Sequence, residues 1–168
     1  MSAVLVEAGP DKGAVWHFGE PVKEQRALEA GTAWADLSHH NIIAVSGADR
    51  LKWLHDLTTQ FVSDLQPGVW MPNMILDAKG HIEFQFNLVD DGTTTFLVLD
   101  PGYSEQLIEY LTKMKFMLRV EVKDASDEYA VLRAPGAPTA IGGPFALVPR
   151  SEVEEMKKTF GGVATQVG

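Results

Sequence analysis

Three groups of residues carry side chains that could do chemistry. Glu83 stands inside the alternating run His81-Ile82-Glu83-Phe84-Gln85-Phe86-Asn87-Leu88. A carboxylate there, beside the amides of Gln85 and Asn87, could recognise an amide-rich heterocycle such as a pterin. An ordinary solvent-facing strand residue would look the same. His39-His40 with Asp36 is the one histidine grouping that suggests a metal. Neighbouring residues of a strand point to opposite faces, and a loop fixes neither ring on one ion, so no metal site is expected. The pair Asp90-Asp91 precedes Gly92 and reads as hairpin chemistry rather than an acid–base couple. No catalytic residue is assigned. G-x-S-x-G, G-x-G-x-x-G and G-x-x-x-x-G-K are all absent, which removes the usual signatures of hydrolases and of phosphate-cradling loops.

These residues need elements to hold them. Val69 to Asp100 reads as three antiparallel strands, Trp70–Leu76, His81–Val89 and Thr94–Leu99. Asp77-Ala78-Lys79-Gly80 is the first reversal, with Gly80 free to take positive φ. Asp90-Asp91-Gly92 is the second. In the middle strand Ile82, Phe84, Phe86 and Leu88 share one face, and His81, Glu83, Gln85 and Asn87 share the other. The aromatic set Trp70, Phe84, Phe86 and Phe96 fits a core better than a stacking platform.

Around this meander, helices are expected at Val22–Glu29, Ala48–Leu57, Ser104–Lys115 and Ser151–Phe160. Ser46 and Ser151 are the expected caps of the second and fourth. Further strands are expected at residues 2–6, Val15–Phe18, Ile42–Val45, Arg119–Val122, Tyr129–Leu132 and Phe145–Val148, while Ala33–Leu37 is short and mixed. Several strands are joined by tight turns, which require antiparallel pairing. The fold class is α+β, with helices on a mainly antiparallel sheet and one domain over residues 1–168.

The net charge is −9, which argues against a broad nucleic-acid surface. No apolar run reaches the roughly 18 residues that span a bilayer. The start MSAVLVEAGPDKG lacks a basic segment, so no signal peptide is expected. Cysteine is absent, which removes disulfides and thiolate ligands and fits a cytoplasmic protein.

The order of several short stretches is specific. Asp36-Leu37-Ser38-His39, Val45 to Leu54, Leu57-Thr58-Thr59 and Leu65-Gln66-Pro67-Gly68 resemble the N-terminal region of the glycine-cleavage T-protein (aminomethyltransferase) superfamily. Leu76-Asp77-Ala78-Lys79-Gly80-His81-Ile82 and Asp127 to Leu132 look most like its YgfZ branch. The resemblance runs from about Phe18 to Val148. It implies a protein that binds tetrahydrofolate or a derivative and supports iron–sulfur cluster assembly or repair and tRNA modification, with folate and iron–sulfur enzymes as partners. By resemblance the ligand lies near Glu83, Phe84, Phe86 and Leu88, with Asp100 at the end of the next strand.

Two departures from the family pattern bear on chemistry. The T-protein carries two adjacent aspartates where this chain has Glu83 and Phe84, and a tyrosine where it has Pro72. Phenylalanine holds no charge, which speaks against aminomethyl transfer by the T-protein route. The YgfZ signature K-G-C-x-x-G-Q-E is absent, and in the family it lies beyond the point where this chain stops. The expected picture is thus one lobe of a two-lobed folate domain, whose cut face exposes apolar surface and favours self-association into a homodimer. Aminomethyl transfer and a non-enzymatic interaction module are the alternatives.

Overall fold

The computed structural model describes residues 3–133, 139–140, 143–160 and 163–165. In chain order the strands are β1 (Val4–Leu5), β2 (Val15–His17), β3 (Ala33–Asp36), β4 (Asn41–Ser46), β5 (Met71–Leu76), β6 (Ile82–Asp90), β7 (Thr94–Leu99), β8 (Glu121–Asp124), β9 (Tyr129–Arg133), β10 (Thr139–Ala140), β11 (Gly143–Pro149) and β12 (Val163–Thr165). The helices are α1 (Pro21–Glu29), α2 (Arg50–Leu57), α3 (Ser104–Met114) and α4 (Val153–Phe160), the last preceded by a 3₁₀ turn at Arg150–Glu152. The fold is mixed α+β with mainly antiparallel sheets, as the tight turns require. Among the described residues no helix is long and apolar enough to cross a membrane. The chain divides into two compact units, one of residues 41–126 and 139–143, the other of residues 1–40, 127–138 and 144–168.

The first unit holds the meander. Its sheet runs β5-β6-β7-β4-β8, antiparallel at every junction. The reversals are built by their aspartates. At the β5–β6 turn Asp77 Oδ1 accepts the N–H groups of Lys79 at 2.7 Å and His81 at 2.9 Å, while Gly80 takes φ +84°. At the β6–β7 turn Asp91 Oδ1 accepts the N–H groups of Thr93 at 2.8 Å and Thr94 at 2.7 Å, and Gly92 takes φ +100°. One face of the sheet presents Ile43, Val45, Ile75, Phe86, Leu88, Leu97 and Leu99 to a core completed by Trp53 and Leu54 of α2 and Leu107 and Leu111 of α3. Helix α3 reaches it with one stripe, since Leu107, Leu111 and Met114 recur at helical spacing.

Asn73 is a buried polar residue on that core-facing side of β5, 1% exposed. Its Oδ1 accepts from Thr59 Oγ1 at 3.2 Å and Gln60 N at 3.1 Å, and its Nδ2 donates to Thr58 Oγ1 at 2.7 Å. It therefore ties the end of α2 to β5. Asn73→Ala strands these partners and is expected to cost about 1–3 kcal/mol. An unchanged urea midpoint for that variant would show the tie to be incidental.

In the second unit β11, β9, β3 and β12 form a sheet in that order, with β12 parallel to β3 and the other pairs antiparallel. Beside it, β1 and β2 make a two-stranded ribbon. Ala130, Leu132, Val148 and Val153 form a small core there, with Met156 of α4 against it. Lys157 of α4 pairs with Asp36 and lies 5.8 Å from the centre of the Trp34 ring, which fastens the helix to β3. Helix α1 begins at Pro21, and the buried Glu24 carboxylate reaches back to accept the N–H groups of Phe18 at 2.9 Å and Glu20 at 3.1 Å.

Both serine caps expected from the sequence are replaced. Ser46 is the last residue of β4, and α2 starts at Arg50 behind Asp49. The Asp49 carboxylate is drawn off by Arg119, whose Nη2 and Nε lie 2.8 and 3.0 Å away. Ser151 lies within the 3₁₀ turn, and Pro149 takes the flanking position.

Candidate acidic and aromatic cleft

The site is built from the divergence of two strands. β7 stays paired with β4 to its last residue, Leu99 opposite Asn41. Its register with β6 runs only over Thr95–Val98, opposite Asn87–Asp90. The first half of β6 therefore parts from β7, and the chain turns at Asp100-Pro101-Gly102 into α3. A cleft of about 210 Å³ opens there, lined by Ile82, Glu83, Phe84, Gln85, Leu99, Asp100 and Tyr103.

Glu83 owes its position to an irregularity. From Met71–Leu88 to Ile75–Phe84 the β5–β6 register is regular, but Leu76 then faces Ile82. Glu83 is the extra residue of a β-bulge, opposite no residue of β5. A bulge re-aims one side chain without breaking the sheet, and bulges concentrate next to sites. Glu83 is exposed, whereas Phe84 is half-buried, packs against the core and meets the Tyr110 ring at 5.8 Å. Tyr110 lies on α3 between Leu107 and Leu111. Burial pushes its phenol pKa up, and the Glu83 carboxylate pushes it further the same way.

The structure thus gathers Glu83, Phe84 and Asp100 at one cleft. Phe86 and Leu88, expected in the same group, are 2% and 0% exposed and lie inside the core. They follow Phe84 on one strand face, and that face dives under α2 and α3. Two aromatic residues near the cleft, Tyr103 and Tyr110, escape the sequence reasoning. Tyr110 has a signal in its place on α3, three residues after Leu107 of the apolar stripe.

Two carboxylates and two aromatic rings around a narrow opening favour a flat ligand rich in N–H donors and disfavour an anion. A larger groove of about 430 Å³ runs along the β8 edge, lined by Ala44, Ser46, Thr94, Lys115, Glu121, Val122 and Lys123. It has no ring to stack on.

The acidic pair of the second hairpin has two different roles. Asp91 closes the turn, as the sequence suggests. Asp90 is 1% exposed and receives Arg50 in a two-pronged pair, Nε to Oδ2 and Nη2 to Oδ1, both at 2.8 Å. Thr95 Oγ1 and Gly92 N–H donate to it as well, at 2.6 and 2.7 Å. Burial pulls the Asp90 carboxyl upward, but Arg50, Thr95 and Gly92 outweigh it and hold the group below the usual carboxylate range. This pair fixes the far end of β6.

Comparison with known proteins agrees with this architecture. A crystal structure of the glycine cleavage system aminomethyltransferase T from Bartonella henselae superposes with a TM-score of 0.66 at 20% sequence identity, over 77% of this chain. The match spans 36% of that protein, so this chain corresponds to about a third of its length. At that identity the likeness establishes the fold. A family model described as the GCVT N-terminal domain matches residues 3–143, most of the chain. The chain therefore belongs to the GCVT N-terminal domain family.

Proposed function

We propose that the chain binds the pterin end of a tetrahydrofolate derivative at the Glu83–Phe84–Asp100 cleft, as one lobe of a YgfZ-like protein that supports iron–sulfur enzymes and tRNA modification. The observation that carries the reading is the convergence of two carboxylates with Phe84 and Tyr103 around one opening. The donor-rich edge of a pterin suits carboxylate acceptors, and its flat ring suits the aromatic walls. The cleft, at about 210 Å³, is smaller than the roughly 300–1,000 Å³ of complete ligand sites. That fits a wall of a pocket completed by a second lobe.

Aminomethyl transfer, the activity for which the Bartonella protein is named, is the rival reading, and the shared fold favours it. Phe84 weighs against it: its ring packs on the core and on Tyr110, where it offers neither charge nor acceptor to a reacting centre. Glycine-cleavage activity in the complete protein would decide for the rival.

Calorimetric titration of 5-formyltetrahydrofolate into the complete protein tests the proposal. Glu83→Gln keeps the size of the side chain and removes its charge. It is expected to weaken binding by about tenfold to a hundredfold, the worth of one charge-assisted hydrogen bond. Affinity unchanged by Glu83→Gln would sink the assigned role.

A further inference from the structure

A separate cluster lies in the unit that contains residues 1–40. Asp11, His39 and His40, all half-buried, place one ligand atom each within 4.8 Å of one another. The sequence pairs these histidines with Asp36, but Asp36 is engaged by Lys157 and by the Ser38 N–H. Asp11 takes its place from 28 residues upstream, with its Oδ1 2.9 Å from His39 Nε2.

Both supporting segments are held by backbone bonds. Asp11 stands in the loop between β1 and β2, where Lys12 N donates to Gly9 O, Ala14 N to Asp11 O and Gly13 N to Val6 O. His39 and His40 follow β3 in a tight turn. Leu37 N donates to Val131 O, His40 N to Leu37 O, and the Arg150 guanidinium to Ser38 O at 2.7 Å. On an extended strand two consecutive side chains would point apart. In this turn the two rings stay together, 4.7 Å between centres and 69° between planes.

A hydrogen-bonded His–Asp pair needs one imidazole, and here a second one is brought to the same carboxylate. Two imidazole nitrogens and one carboxylate oxygen, with further positions open, are a donor set for a borderline divalent ion such as zinc. Hard ions that prefer all-oxygen shells gain little from it. Donors sharing one zinc at about 2.0–2.1 Å lie on the order of 3.4 Å apart. The three ligand atoms now lie within 4.8 Å of one another, so a shared ion requires them to draw together by at most about 1.4 Å. We propose that Asp11, His39 and His40 form a binding site for a divalent ion of the zinc type, independent of the folate reading.

Titration of zinc chloride into the 168-residue chain is the test. One ion per chain is expected, with a rise in Tm as zinc is added, because an ion that binds the folded state alone stabilises it. His40→Ala and Asp11→Asn should each weaken binding by more than roughly tenfold. His81→Ala is the control, since that imidazole pairs with Asp77 in the other unit, and it should change nothing. In the unaltered chain, which needs no variant to fold, zinc should shift the ring-proton NMR signals of His39 and His40 before those of His55 and His81. Absence of saturable one-to-one binding overturns the proposal. So does equal loss in His40→Ala and His81→Ala, or movement of all histidine signals together.

Discussion

Replacing Arg50 by alanine is expected to destabilise the protein by about 3–5 kcal/mol, the usual cost of leaving one member of a buried ion pair without its partner. Asp90 is 1% exposed and the Arg50 side chain only 12%, so in the intact protein the carboxylate relies on the guanidinium rather than on water. Burial disfavours the Asp90 carboxylate, and the two bonds from Arg50 do most to offset that. A double-mutant cycle with Asp90→Ala should return a coupling of roughly 0.5–3 kcal/mol, because each single change removes the same contact. The pH dependence has a definite sign. The Asp90 carboxyl is held below its unfolded value of about 3.9, so its contribution is complete above that pH and is lost as pH falls further. Asp90→Asn should lower stability at neutral pH and flatten the acid side of the stability curve. Urea unfolding of wild type and Asp90→Asn between pH 2 and pH 7 measures this. Parallel acid limbs in wild type and Asp90→Asn would remove Asp90 as a source of acid sensitivity.

Gly47→Ala is expected to cost about 3 kcal/mol or more, backbone strain and a steric clash acting together. Gly47 follows β4 with φ +113°, a conformation that costs a side-chain-bearing residue about 1–3 kcal/mol of strain. A Cβ there would meet Arg119 O at 2.0 Å, Arg119 C at 2.8 Å and Val120 Cα at 2.9 Å. Those are backbone atoms at the entry to β8, so no rotamer change relieves the clash. The strand would have to back away from β4, and the bonds of Arg119 to Asp49 would lengthen with it. Gly80 supplies the comparison. It also has positive φ, +84°, but an added Cβ meets nothing within 4 Å. Gly80→Ala should therefore cost about 1–2 kcal/mol from backbone strain alone. If the two variants unfold at the same urea concentration, close approach of the chain at Gly47 is not what requires glycine there.

Much of the meander was legible because its signals are local. Period-two alternation from Phe84 to Leu88 and the turn residues Asp77, Gly80, Asp91 and Gly92 all act within a few residues of themselves, and β5, β6 and β7 form where they indicate. Ile82, expected on the same face, stands beyond the bulge opposite Leu76 and is 57% exposed. Helix α3 follows from its apolar spacing in the same way. Strands with weak local character were harder to read. Ala33–Asp36 is a four-residue mixed run that becomes β3 because β9 and β12 pair with it, from about 100 and 130 residues downstream. The serine caps failed for a related reason. Ser46 satisfies local capping rules, but pairing of β4 with both β7 and β8 draws it into the sheet.

At the cleft, the order of residues was enough to say which types alternate on β6 and where the chain reverses. It could not show that Glu83 is the extra residue of a bulge, since a bulge is defined by two strands and no glycine marks this one. Nor could it show that Phe86 and Leu88 are sealed while Glu83 and Asp100 share an opening, which depends on β7 leaving β6 to follow β4. The pairing of Arg50 with Asp90 across 40 residues, and the exchange of Asp36 for Asp11 beside the histidines, are of the same kind. Local propensity acts over a turn or a few strand residues. Which distant side chains meet is set by register and burial, and those arise only when the whole chain has folded.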